Sequence, residues 1–204
     1  MIAQKAETLL AYEELLYVIA EFFKPPIYKF YKELDYEGIE RLLKSIGYDE
    51  QVTWPKPSSY EDLQYMYMRC FVGPDHLTSP PVESLYKRWT TDSTAQVSFA
   101  SEAGYLYGDS ALHMEHLYEV NGLEIPAFYS RIPDHLTLLL EFAAYLIELD
   151  QYSALKNFIH EHLDWLPALR TQLAAIKDSH FYVCIINILI DVLTLLENEV
   201  EGRE

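Results

Sequence analysis

The sequence predicts an all-α fold, a single helical bundle-like domain over residues 1–204, and three observations carry that reading. Apolar residues recur at the i, i+3, i+4, i+7 spacing of a helix face in window after window. No segment shows the polar/apolar alternation of a half-buried strand. With seven glycines in 204 residues, there is no repeat, low-complexity tract or flexible linker to mark a second domain.

Residues 3–23 carry the first helical pattern, which stops at Pro25-Pro26 because proline can neither donate in a helix nor tolerate a helical residue before it. A second pattern covers 36–46 and ends at Gly47. After Pro55 to Pro57, the residues Leu63, Met66, Tyr67, Cys70 and Phe71 fall on one helix face, and that helix runs into the proline-rich segment Gly73 to Pro81. Residues 109–121 give another helix, followed by an irregular approach from Gly122 to Pro133. Next come Leu136, Leu139, Leu140, Ala143, Ala144 and Ile147, with Leu138, Phe142, Tyr145 and Leu146 also apolar. Only Thr137, Glu141 and Glu148 are left as a thin polar stripe, so this helix belongs at the centre of the domain. Helices over 151–163 and, past Pro167, near 168–176 lead to a last pattern at Tyr182, Ile185, Ile186, Leu189, Ile190 and Leu193. The apolar run from Phe181 to Leu196 is 16 residues long and includes Asn187 and Asp191. That is short of the ~20 apolar residues a membrane span needs, so it reads as a core helix.

Half of the residues are apolar and 14% are aromatic, with 17 tyrosines, enough to fill a core without staples. The 32 Asp and Glu against 15 Lys and Arg give a formal charge of −17, which excludes a phosphate backbone as partner and favours cationic ones. The negative charge is concentrated: residues 101–150 hold nine acids against one base, Arg131. Cys70 and Cys184 lie inside apolar runs, as buried thiols do in a reducing compartment. The first 23 residues carry Glu7, Glu13 and Glu14 and no basic opening, unlike a secretory signal, so a cytoplasmic protein is expected.

Catalytic signatures are missing. There is no phosphate loop, dinucleotide fingerprint, HExxH or GxSxG, and no Glu-x-x-His pair of the kind that builds di-iron sites in bundles. His113 and His116 would share a helix face, while His160 and His162 bracket Glu161 near Asp164. That spacing is also the spacing of plain surface histidines, so no metal, no cofactor and no catalytic residue is expected.

Two segments stand apart. FVGPDHLTSPPVESLY, residues 71–86, follows an amphipathic helix and is stiffened by Pro74, Pro80 and Pro81, as suits a loop that presents a groove. In RIPDHLTLLLEFAAYLIE, residues 131–148, Asp134 stands where an N-cap is wanted, with His135 then in the first turn. Together the segments resemble the redox-enzyme maturation chaperones, typified by the trimethylamine-oxide and dimethyl-sulfoxide reductase chaperones and the nitrate reductase assembly chaperone. The resemblance lies in Phe71-Val72-Gly73-Pro74, then Pro80-Pro81-Val82-Glu83-Ser84, then Pro133-Asp134-His135-Leu136, in that order.

The resemblance implies a cytoplasmic, non-catalytic chaperone. Its ligand would be the twin-arginine signal peptide, or a related N-terminal segment, of a molybdenum or tungsten oxidoreductase, held until the cofactor is inserted. It also implies peptide-binding positions at Tyr67, Phe71, Pro81, Val82, Asp134 and His135, with Glu83, Ser84 and Tyr86 in the same loop. The residues agree with that ligand class, since two guanidiniums beside an apolar stretch require carboxylates beside an apolar groove. An acidic helical scaffold for another basic protein and a small metal-dependent helical enzyme remain as alternatives. A monomer and a helix-swapped dimer are both compatible with the sequence.

Overall fold

The computed structural model describes residues 2–73, 78–201 and 203, with residues 2–6 by backbone alone. Nine α-helices account for the architecture among the described residues: α1 Ile2–Phe22, α2 Tyr28–Glu33, α3 Tyr36–Ser45, α4 Tyr60–Tyr67, α5 Asp109–Val120, α6 Leu136–Glu148, α7 Tyr152–His162, α8 Leu166–Ala174 and α9 His180–Val200. No strand forms among these residues, and one isolated antiparallel bridge joins Val82 to His135. The all-helical, single-bundle expectation is met; the expected helices begin and end within a few residues of the periodic patterns, except that α9 runs on to Val200, and α2 is a helix the periodicity did not give.

Helix α6 is the axis of the bundle, as its near-continuous apolar pattern requires. Ten of its 13 residues are buried, and its longest packing is against α1, with α7 on another side. The polar residue Thr137 is enclosed as well, and its hydroxyl donates to the Ala20 carbonyl of α1 at 3.1 Å. That bond satisfies a buried hydroxyl and fixes the height of α6 against α1.

Helix α9 runs for 21 residues, longer than the apolar run alone suggested, and by length and composition it could cross a bilayer. Its apolar face is nevertheless filled by the bundle: Ile185, Ile186, Leu189, Val192 and Leu196 are all 2% exposed or less. α8, α7 and α1 cover it, which is the environment of a core helix.

Between α1, α4 and α9 lies an aromatic cluster in which Phe71 meets Tyr182 edge-on at 4.6 Å and Tyr67 at 5.3 Å, with Phe23 and Phe181 beside them. Such edge-to-face rings add about 0.5–1.5 kcal/mol per pair to their burial. Helix α4 does not stop at Tyr67 but widens into a π-turn over Met68–Val72. The Gly73 amide closes that turn by donating to the Met68 carbonyl at 2.7 Å. Both cysteines are free thiols; Cys70 is buried, and Cys184 is half-buried rather than enclosed.

Candidate functional site

The two motif segments are the two halves of one hydrogen-bonded latch. The segment from Thr78 onwards is held to the π-turn by Ser79, whose amide donates to the Cys70 carbonyl at 2.7 Å. It then runs antiparallel to the approach to α6. The Leu136 amide donates to the Pro81 carbonyl at 2.8 Å and the Glu83 amide to the Asp134 carbonyl at 3.1 Å. Prolines at 80 and 81 cost nothing in this bridge, because the loop uses a carbonyl there rather than an amide.

The side chain of Asp134 completes the latch. One carboxylate oxygen accepts from the Ser84 amide at 2.7 Å and also from the Ser84 hydroxyl. Asp134 is fully buried, and that burial pushes its carboxyl above the ordinary Asp value, against the opposing pull of the Ser84 bonds. The N-cap expected of Asp134 is therefore corrected. A tertiary partner 50 residues away takes the carboxylate, and the cap passes to the next residue, His135, whose backbone is extended and whose Nδ1 accepts from the Thr137 amide at 3.2 Å. His135 is not in the first turn. Its ring is 5% exposed, sits 5.0 Å from that of Tyr129, and burial lowers its pKa to about 3. It is neutral at physiological pH, with the proton on Nε2 because Nδ1 is the acceptor.

Of the nine residues that the sequence singled out, six are joined in the latch, namely Pro81, Val82, Glu83, Ser84, Asp134 and His135, and most of the nine are enclosed. Val82, Glu83 and Ser84 are buried with Asp134 and His135. Pro81 is buried against α6. Tyr67 and Phe71 lie in the aromatic core. Tyr86 is half-buried, stacked on Trp165 at 4.8 Å and donating its hydroxyl to the Pro80 carbonyl at 3.1 Å. Pro74 lies outside the described residues.

Sequence reasoning missed what Glu83 does. One of its oxygens takes His162 Nδ1 at 2.8 Å, the other an ion pair with Lys87 at 2.9 Å, and Lys87 also pairs with Asp164 at 2.6 Å. His162 is 2% exposed, so it is no surface histidine. His160, by contrast, is an exposed partner of Glu197. No local spacing announces a contact between residues 79 positions apart.

The surface beside the latch is apolar and acidic. Tyr17 of α1, Tyr118 of α5, Leu123, Ile125 and Pro126 of the following loop, and Leu138, Phe142 and Tyr145 of α6 line a groove of about 250 Å³. Glu124 and Glu141 are on its wall, and Glu13 and Glu148 lie close enough that both push up the Tyr17 pKa, after burial. The latch is tied to this groove through Tyr118, whose hydroxyl donates to the Pro133 carbonyl at 3.2 Å.

Residues 32–171 match the family model of the nitrate reductase delta subunit. The chain belongs to this family. It is the family of the redox-enzyme maturation chaperones, which are non-catalytic, and the motif resemblance pointed to it. Among relatives, the chain is 29% identical over 120 residues to the probable Tat proofreading chaperone DmsD of Haemophilus influenzae, and 25% identical over 147 residues to the Tat proofreading chaperone DmsD of Salmonella typhimurium. These alignments cover 58% and 66% of the chain; they span 51% of the first relative's own length and 66% of the second's. The fold of this delta-subunit family member is also that of a candidate redox enzyme maturation protein from Archaeoglobus fulgidus, with a TM-score of 0.55 at 21% identity over 88% of this chain and 93% of that one.

Proposed function

We propose that this chain is a cytoplasmic chaperone for a molybdenum or tungsten oxidoreductase, and that it binds the twin-arginine signal peptide or N-terminal segment of that enzyme before export or assembly. Membership of the maturation-chaperone family supports the role. The observation that carries the ligand class is the apolar groove of α1, α5 and α6 with Glu13, Glu124, Glu141 and Glu148 around it. At about 250 Å³ it is smaller than the ~300–1,000 Å³ of small-molecule pockets, and it suits side chains of an extended segment laid across the surface.

In this reading the nine motif residues act mainly as the frame. The Asp134–Ser84 latch holds the start of α6, and α6 presents the groove. Lys24 already pairs with Glu141 at 2.8 Å, which leaves Glu13 and Glu148 as the better guanidinium partners. Apolar burial supplies most of the affinity and the charges supply orientation and on-rate.

Calorimetry with a peptide bearing two arginines and an apolar stretch tests this. The double variant Glu13→Gln/Glu148→Gln is expected to bind up to about tenfold more weakly and to show a flatter salt dependence, since exposed pairs contribute little individually. Lysines in place of the arginine pair should also weaken binding, because they lose the bidentate geometry. If the parent binds the lysine peptide as well as the arginine peptide, the acidic-scaffold reading is the better one. If it binds neither, the chaperone reading of the groove fails.

A further inference from the structure

We propose that His113, His162 and Glu161 form a binding site for a divalent transition-metal ion of the zinc class, at the junction of α5 and α7. The three side chains offer ligand atoms within 4.8 Å of one another. His113 comes from the first turns of α5, and Glu161 and His162 from the last turn of α7. No sequence pattern links them, because one histidine of each pair that the sequence shows is used and the other is not.

The geometry is that of a prepared ligand set. Glu83 accepts from His162 Nδ1 at 2.8 Å, so the proton is on Nδ1 and the Nε2 lone pair is turned towards His113. A carboxylate behind a histidine is the arrangement that fixes tautomer and ring direction in zinc sites. The His162 ring is further held by stacking on Phe158 at 5.0 Å. Its Nε2 lies 2.9 Å from His113 Nδ1. Two nitrogens bound at ~2.0–2.1 Å to a tetrahedral ion stand about 3.3 Å apart, so a small swing of the exposed His113 ring makes room.

Two imidazoles and one carboxylate leave a fourth position, and it faces space. The three residues stand on the wall of a cavity of about 280 Å³ whose other walls include Asn121, Gln151 and Asn157. Water, or a donor atom from a partner, can reach an ion there. The ligand types suit zinc, cobalt or nickel better than magnesium or calcium, which want oxygen alone. An ion here would tie α5 to α7 and, through Glu83, to the loop that carries Ser84.

The test uses untagged full-length protein stripped of metal by chelator and dialysed, then titrated with zinc sulfate by calorimetry and with cobalt chloride by absorption. The expected result is one equivalent bound with micromolar affinity or better, tetrahedral cobalt bands, and a melting temperature raised by zinc. His113→Ala and Glu161→Gln change exposed side chains and should fold; each should weaken zinc at least tenfold and abolish the melting shift. His160→Ala should change neither. Absence of saturable zinc binding overturns the site and leaves Glu83, His162 and His113 as a hydrogen-bonded chain alone. So does binding that survives both His113→Ala and Glu161→Gln.

Discussion

Asp134→Ala is expected to be among the most destabilising single substitutions in this chain, by about 3–5 kcal/mol. The substitution strands two donors of Ser84, its amide and its hydroxyl, in a site where Ser84 is 1% exposed and Asp134 fully buried. Each unmet buried donor costs about 1–3 kcal/mol. In a chain of this length that should lower the melting temperature by roughly 10 °C or more. Ser84→Ala loses only the hydroxyl bond and keeps the amide bond, so it should cost about 1–2 kcal/mol.

Asp134→Asn separates charge from shape. An amide oxygen can take the place of the accepting carboxylate oxygen, but the amide nitrogen then falls where the second oxygen has no hydrogen-bond partner. A cost of about 1–2 kcal/mol follows at low pH. The sign of its pH dependence is set by the raised carboxyl pKa. The folded state holds this proton more tightly than the unfolded chain does, so ionisation as pH rises from about 4 costs the folded state. The advantage of parent over Asp134→Asn should therefore shrink as pH rises through that window. Chemical denaturation of both proteins at pH 4 and pH 7 reads it. Equal stability of Asp134→Ala and parent would show that the latch holds nothing.

The latch also shows where the sequence ceases to be legible. Helices whose apolar residues keep a 3.6 period over three or more turns are visible because the period is a local property, and α6 and α9 are the clearest cases. Helix α2 is not visible: Tyr28–Glu33 spans six residues and buries none of them, so there is no stripe to read. The strings Pro80-Pro81-Val82-Glu83-Ser84 and Pro133-Asp134-His135 are visible as motifs, but their pairing is not, since it joins residues 50 or more apart by one carboxylate and two backbone bonds. The one-residue displacement of the N-cap has the same origin. Local preference gives Asp134 to the helix, and a buried serine outbids it. The pairing of His162 with Glu83 and His113 is hidden for the same reason.

His135 should dominate the acid sensitivity of the fold. Its ring is neutral in the folded state down to about pH 3, whereas an unfolded histidine takes up its proton near 6.5. Between those values the unfolded chain binds more protons, so stability rises with pH and is lost as pH falls from about 6.5 towards 3. A displacement of that size corresponds to about 5 kcal/mol over the whole window, and about 3 kcal/mol of it lies between pH 6.5 and 4. The structural cause is specific. Protonating Nδ1 replaces the acceptor of the Thr137 amide by a second donor, at the first turn of α6, inside a site closed by Tyr129 and by the bridge to Val82. His135→Asn keeps an acceptor for that amide, since Asn is a good N-cap, and does not titrate. The variant should lose about 1–2 kcal/mol at pH 7 from the space left beside Tyr129. Its stability should then fall more slowly on acidification than the parent's. Asp134 next door works in the opposite direction, and because the same carboxylate is present in both proteins its contribution cancels in the comparison. Urea unfolding at pH 7, 5.5 and 4 measures both slopes. Parallel curves would mean that His135 gains no proton on unfolding, and that the buried neutral cap is wrong.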